Sequence, residues 1–177
     1  MKKVLLGIGY WFLQLTWGVL MTFVGLLVSL FILIFMRKKA YFHRNGYSWI
    51  IEIGGNWGGV NLGAVSLCGA YSQKDAKCYD PKWFEHTRRH EFGHSIQNII
   101  FGPLYLFVVA IPSVCRYWYN VYCDKKGIKL TNSWYDCKAW FEYTASLWGT
   151  KIINKLENKD FPYEYEGCYC GLFSKKK

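Results

Sequence analysis

The stretch DPKWFEHTRRHEFGHSIQNIIFGP, residues 80–103, carries clear start and stop signals for a helix. Asp80 followed by Pro81 is a typical helix beginning, because the carboxylate caps free backbone amides and proline suits the first helical position. Gly102-Pro103 is a typical interruption. The stretch therefore predicts a helix from Pro81 to about Phe101, and the rest of the chain is best understood around it.

Two histidines of this helix, His90 and His94, are four residues apart, so both project from one face and can reach one ion. Glu91 follows His90 and is the residue type that takes a proton from a zinc-activated water. The His-Glu-x-x-His order therefore predicts a zinc site with His90 and His94 as metal ligands and Glu91 as the catalytic base. Surface histidines on a basic helix are the alternative.

The third metal ligand must come from another part of the chain. His86 lies about 12 Å along a helix axis from His94, which is too far for the two to share one ion. Glu142, in the segment WFEYTASLWG, is the better candidate, because Ala145 and Gly149 share its helix face and permit close approach to the histidines. An ordinary helix glutamate is the alternative.

Three further residues are candidates for supporting roles. Gln97, three residues after His94, can hydrogen-bond behind that ligand, and Tyr105 or Arg116 can polarise a substrate carbonyl. An interhelical amide for Gln97, and packing or headgroup contacts for the other two, are the alternatives.

The N-terminal segment is strongly apolar, because residues 4–36 contain no charged side chain and about 20 apolar residues suffice to cross a bilayer. The run is far longer than the apolar part of a signal peptide and ends in the basic residues 37–39. It predicts an uncleaved membrane anchor over residues 1–39. The anchor is either one tilted helix or an interfacial piece, residues 4–16, followed by a span, residues 17–36.

The charge balance supports a lipid partner. Lys and Arg total 22 against 12 Asp and Glu, a net charge of +10, and these cations flank the apolar segments. Membrane proteins use cations in this way, so the sequence predicts contact with a lipid bilayer and no nucleic-acid partner. The side of the membrane that the site faces is left open.

The remaining segments complete the predicted fold. Alternating residues with two glycine pairs, within residues 45–71, predict a β-hairpin. The apolar residues at about 99–119 predict a second membrane-associated helix, kinked at Pro112, which either spans or lies partly buried. A third helix, opening near Asn132 with Asp136 in a capping position and running to about Leu156, carries Glu142.

The predicted fold class is therefore a mainly α membrane protein with a small β-hairpin. Its predicted domains are the anchor at 1–39, a zincin-like catalytic domain at 40–160 and a loosely ordered tail at 161–177.

The motif HEFGH, residues 90–94, with a glutamate downstream resembles the gluzincin class of zinc metallopeptidases. Ser146 stands where that class has an aspartate that orients a zinc-binding histidine, so we expect weaker support there or support from another residue. Residues 90–113 also resemble small bacterial membrane proteins with His-Glu-x-Gly-His, a glutamine three residues on, Gly-Pro-Leu-Tyr and Pro-Ser. The resemblance implies an integral metallopeptidase of the bacterial cell membrane.

These observations predict a membrane-anchored metallopeptidase, with Zn²⁺ as cofactor, that hydrolyses peptide bonds near the membrane surface. Its expected substrates are peptides or membrane proteins, which the glycine-rich hairpin would align by strand addition. The alternative is a non-enzymatic membrane interaction or protection protein whose metal is structural or absent. A fourth protein ligand, such as His43 or Cys137, would favour that alternative.

Overall fold

The computed structural model describes residues 2–128 and 139–162, and within them the chain is mainly helical with a four-stranded mixed sheet. The helices are α1 (Lys2–Thr16), α2 (Val19–Phe35), α3 (Pro81–Phe101), α4 (Ile111–Lys126) and α5 (Trp140–Glu157). The strands are β1 (Ala40–Asn45), β2 (Ser48–Ile53), β3 (Gly59–Leu62) and β4 (Val65–Cys68). Short 3₁₀ turns at Arg37–Lys39 and Gly102–Leu104 and a π turn at Leu106–Ala110 complete the described elements.

The helix at the centre of the fold, α3, has the predicted bounds. The Asp80 carboxylate accepts a hydrogen bond of 3.0 Å from the backbone N–H of Trp83, and Pro81 occupies the first turn. At the other end Gly102 adopts φ 54°, in the left-handed region that favours glycine, and the helix stops there. Both terminal signals read from the sequence are thus confirmed.

The predicted single β-hairpin is wrong, since the sheet contains two hairpins in the order β1-β2-β4-β3. Gly46 and Gly63, both at positive φ, make the tight turns of the two hairpins. The second run of the predicted hairpin, residues 60–67, itself folds back as β3 and β4. The first run, β2, pairs in parallel with β4, with Ile51 opposite Leu67. The segment with the glycine pairs therefore leads to the outer strand β3 instead of making a tight turn.

Helices α3 and α5 cross in backbone contact. A Cβ on Gly93 would lie 1.9 Å from the carbonyl oxygen of Ala145, and a Cβ on Gly149 would lie 1.8 Å from the carbonyl oxygen of Arg89. No larger residue fits at either position without moving a helix. The small residues predicted to allow close approach do so, and the crossing brings α5 alongside the histidine face of α3.

The third predicted helix begins later in the chain than expected. The backbone at Ala139 is extended (ψ 132°), and α5 runs from Trp140 to Glu157, close to the predicted end at Leu156. Asn132 and Asp136, which were expected to open and cap this helix, lie outside the described residues, as does the predicted tail from residue 163 onwards.

The N-terminal segment forms two helices that bend by 96° between Thr16 and Val19, so the chain divides where the two-piece alternative placed the break. Gln14, fully buried near the bend, donates a 3.0 Å hydrogen bond to the Ser95 carbonyl on α3. Asn98 of α3 donates in return to the Gln14 side-chain oxygen at 2.7 Å. Buried amide contacts therefore join this bend to α3.

Among the described residues, no single helix combines the length and the apolar character that crossing a bilayer requires. Two helix pairs meet the criteria only when each is taken together across its bend: Lys3–Thr16 with Val19–Phe35, and Pro81–Leu104 with Leu106–Cys123, the latter bent by 119°. The predicted break at Gly102-Pro103 is confirmed, and Pro112 lies just after the π turn, in the first turn of α4.

Candidate metal centre

Three side chains, His90, His94 and Glu142, converge at the crossing of α3 and α5 and form a cluster that could hold a metal ion. The two histidine Nε2 atoms are 3.1 Å apart, and Glu142 Oε2 lies 3.0 Å from His90 Nε2 and 3.5 Å from His94 Nε2. A tetrahedral ion with bonds of about 2.0 to 2.1 Å has ligand atoms about 3.3 Å apart. The three predicted ligands therefore occupy three corners of a site of the right size.

The tautomer of His94 follows from its neighbours. Gln97 donates through Nε2 to the Phe141 carbonyl at 2.7 Å, so its Oε1 faces His94 Nδ1, also at 2.7 Å. An amide oxygen only accepts, so Nδ1 carries the proton, and in the neutral imidazole the Nε2 lone pair faces the centre of the cluster. Gln97, suggested by the sequence as a supporting residue, thus holds His94 in the form that binds metal.

His90 is supported by Ser146, whose Oγ lies 2.8 Å from His90 Nδ1. Weaker support, or support from a different residue, was expected here because serine replaces the aspartate of the gluzincin pattern. The close crossing of α3 and α5 lets the shorter side chain reach the ring directly. The contact is a hydrogen bond to a neutral hydroxyl, which raises the basicity of the imidazole less than a carboxylate would.

Glu142 is buried among partners on two other elements, α3 and α4. Its Oε2 faces the histidines, and its Oε1 accepts a hydrogen bond from Ser113 Oγ at 2.5 Å and an ion pair from Arg116 Nη2 at 3.2 Å. Burial raises the pKa of Glu142, but hydrogen bonds and charge from His90 and His94 outweigh it and hold this pKa well below its usual range. The carboxylate is therefore ionised, as a metal ligand must be.

Ser113 was missed as a supporting residue, and Arg116 was suggested only for substrate contact. Both reach Glu142 because the chain turns back after α3, through the 119° bend, and lays α4 against the cluster. The Pro-Ser dipeptide at 112–113 was part of the resemblance to small bacterial membrane proteins. Its position in the sequence gave no indication that Ser113 would contact Glu142.

Glu91 lies beside the cluster on the side of the sheet. A Cβ on Gly59 of β3 would lie 2.5 Å from Glu91 Oε1, so the carboxylate packs directly on the strand backbone. Glu91 is buried, and its Oε2 has no hydrogen-bond partner among the described residues. Burial raises its pKa, against the lowering effect of His90 and His94. A carboxyl oxygen without a hydrogen-bond partner can accept a proton.

Among the described residues, the other candidate ligands are not members of the three-residue cluster. His86 is buried and is not one of the three converging side chains, as the helix spacing predicted. His43 Nε2 lies 2.7 Å from Glu52 Oε1 in the sheet, and Cys137 lies outside the described residues. Tyr105 is buried with Val109, Ala139 and Phe141. Burial and the nearby charges of Glu91 and Glu142 raise the pKa of its hydroxyl, so this side chain lies near the centre. The described cysteines, Cys68, Cys78, Cys115 and Cys123, are free thiols.

Two imidazoles and one carboxylate, with a further carboxyl beside them, are a donor set suited to a zinc ion that keeps a position open for water. Comparisons of the chain with protein-family models, with curated proteins and with solved structures found no match. The chemistry of this centre is accordingly inferred from its own residues.

Proposed function

We propose that the protein is a zinc-dependent metallopeptidase that acts at a membrane surface. The observation that carries this proposal is the convergence of His90, His94 and Glu142 at ligand spacing, with Glu91 buried next to them. A zinc ion held by the three ligands would supply Lewis acidity and acidify a water molecule.

Each surrounding residue has a role in that chemistry. Glu91 would accept the proton of the attacking water and later deliver it to the leaving amine, since its buried Oε2 has no other hydrogen-bond partner among the described residues. Gln97 and Ser146 hold the two imidazole rings in orientation. Ser113 occupies one lone pair of Glu142 Oε1, which leaves Oε2 to the metal.

The sheet offers a place for an extended peptide. Strand β3 is an outer strand of the sheet, paired on one side with β4, and its first residue, Gly59, touches Glu91. An outer strand has unpaired N–H and C=O groups that can bind a peptide backbone as an additional strand. Peptide bonded there would run past Glu91, so the proposed substrates are extended segments of peptides or membrane proteins.

The membrane part of the proposal rests on the surface of α1 and α2. Large apolar side chains are exposed along both helices, from Val4 to Phe35, and include Leu5, Ile8, Phe12, Phe23, Leu27, Phe31 and Ile34. An exposed apolar surface of this extent is typical of membrane or protein contact. Basic residues lie just beyond it, at Arg37–Lys39, where anionic headgroups would be expected.

The test uses detergent-purified wild-type protein and three variants, with zinc content and cleavage of a peptide library both measured. Glu91→Gln is expected to keep zinc and lose cleavage, and Glu142→Gln to lose both. Asp75→Asn, on an exposed loop residue, removes one carboxylate elsewhere and should change neither.

Wild-type protein that binds no zinc would refute the proposal. Protein that binds zinc firmly and cleaves no peptide, with or without lipid, would instead support the non-enzymatic alternative with a structural metal.

A further inference from the structure

The guanidinium of Arg116 lies directly behind the candidate metal ligand Glu142. Its Nη2 is 3.2 Å from Glu142 Oε1, and only 10% of the side chain is exposed. Arg116 stands on α4, which follows the bend after α3, whereas Glu91 stands on α3 and packs against β3. The centre thus has a proton acceptor on one flank and a fixed positive charge on another.

Two of the three guanidinium nitrogens of Arg116 do not contact Glu142. Nε and Nη1 of Arg116 are buried, and neither has a hydrogen-bond partner among residues 2–128 and 139–162. Arg88, which is as deeply buried, shows the usual arrangement, because both of its terminal nitrogens bond to the carboxylates of Glu85 and Glu157. A buried guanidinium is costly unless its donors are satisfied, so the two free nitrogens of Arg116 indicate a missing acceptor.

The positive charge of Arg116 indicates which kind of acceptor its free nitrogens would bind. Glu142 is the one carboxylate paired with Arg116 in the described structure, and in the proposed function its negative charge is shared with a metal ion. Arg116 then lacks full compensation, and the group that best supplies it is an anionic oxygen, which forms short, strong hydrogen bonds with guanidinium.

We propose that Arg116 binds an anionic oxygen of the peptide substrate beside the metal centre, an inference that rests on the proposed function. The oxygen has two possible sources with the same chemistry. One is the C-terminal carboxylate of a peptide cut near its end, and the other is the negative charge that develops on the carbonyl oxygen of the bond being cut.

The competing explanation is that Arg116 only positions Glu142. A variant of Ser113 distinguishes the two explanations. Ser113→Ala removes the other donor to Glu142 Oε1 without touching Arg116, so it reports what weaker support of the ligand does by itself. Arg116→Lys keeps a positive charge near Glu142 but loses the free Nε and Nη1 donors. All variants are compared at saturating zinc, with bound zinc measured.

The first experiment is equilibrium binding and needs no turnover. Zinc-loaded Glu91→Gln protein is titrated with the tetrapeptide Ala-Phe-Leu-Ala bearing either a free or an amidated C-terminus, alone and combined with Arg116→Lys, Ser113→Ala or Lys125→Gln. Lys125 is an exposed cation on the same helix and serves as the matched control. If the carboxylate is the source, Arg116→Lys weakens binding of the free acid by about 10- to 100-fold and leaves the amide unchanged.

The second experiment measures kcat/KM on a library peptide that the wild type cleaves. If the developing charge is the source, Arg116→Lys lowers kcat/KM by about 10- to 100-fold for free and amidated forms alike, with peptide binding unchanged. The proposal is overturned if both quantities match those of Lys125→Gln, or if Arg116→Lys and Ser113→Ala lower peptide binding and kcat/KM equally at saturating zinc. Absence of any cleavage refutes the proposed function, while the binding experiment still decides the role of Arg116.

Discussion

Helix α3 and the α1–α2 pair distribute their side chains in opposite ways. Helix α3 buries charged and amide side chains, among them Arg89, Gln97 and Asn98, whereas α2 buries only Thr22, Gly25 and Ile32 and exposes most of its large apolar residues. Polar residues inside are tolerated when they are hydrogen-bonded, and those of α3 lie around the three candidate metal ligands or join α3 to neighbouring helices. Helix α3 therefore buries polar side chains that support the candidate site, whereas α1 and α2 expose apolar side chains on the surface.

Phenylalanine offers the largest expected contrast between the two regions. Phe92 of α3 is completely buried and stacks on Tyr10, while Phe31 of α2 is 56% exposed. Phe92→Ala should cost about 3 to 5 kcal/mol and lower the Tm by roughly 10 °C. Phe31→Ala should change the stability of detergent-purified protein by no more than about 0.5 kcal/mol. Thermal unfolding of both variants checks this, and equal losses would mean that the Phe31 side chain packs against protein.

Glycine gives the next contrast, with opposite signs. Gly93→Ala pushes a methyl group into the Ala145 carbonyl and should destabilise by about 1 to 3 kcal/mol or more. Gly9→Ala, on α1, meets no atom within 4 Å and should stabilise by up to about 1 kcal/mol through helix propensity. Chemical unfolding in mild detergent measures both. A neutral Gly93→Ala would show that α3 and α5 can separate without cost.

Removal of a hydrogen bond to a candidate ligand should lower the affinity of the site for zinc. Ser146→Ala deletes the hydrogen bond to His90 Nδ1 and is expected to weaken zinc binding by about 10-fold, toward the low end for such contacts because the serine is uncharged. Competition with a chelator provides the measurement. Ser146→Asp, which restores the gluzincin pattern, should bind zinc more tightly than Ser146→Ala, and a weaker site in Ser146→Asp would contradict this role.

The smallest effect is expected at the ion pairs that join the start of α3 to the end of α5. The Arg88 hydrogen bonds lower the pKa of Glu157 to about 2 from 4.5. Because this folded-state pKa is depressed, the contribution to stability is complete above pH 4.5 and is lost as the pH falls toward 2. Glu157→Gln should flatten the loss of stability in that range, and Lys159→Gln, on the exposed partner, should not. Partial exposure keeps the effect small.

The sequence predicted the features that depend on neighbouring residues. Asp80, Pro81 and Gly102 set the bounds of α3 through local capping, and the spacing of His90 and His94 places both on one face. Glu142 was predictable because Ala145 and Gly149 indicated a close helix crossing. The parallel pairing of β2 with β4 was not predictable. Strand β3 lies between the two in the sequence, and neither the β2 nor the β4 sequence specifies which strand it pairs with.

The contacts of Ser113 and Arg116 with Glu142 were equally unpredictable, because they depend on how far the chain turns after α3. The turn includes the π segment Leu106–Ala110, which holds one residue more per turn than an α-helix. That extra residue sets the rotational phase of α4, since each residue advances a helix by about 100°. Deleting one residue from the segment would rotate Ser113 and Arg116 away from Glu142 together, so the length of this apolar segment determines how the candidate metal ligand Glu142 is supported.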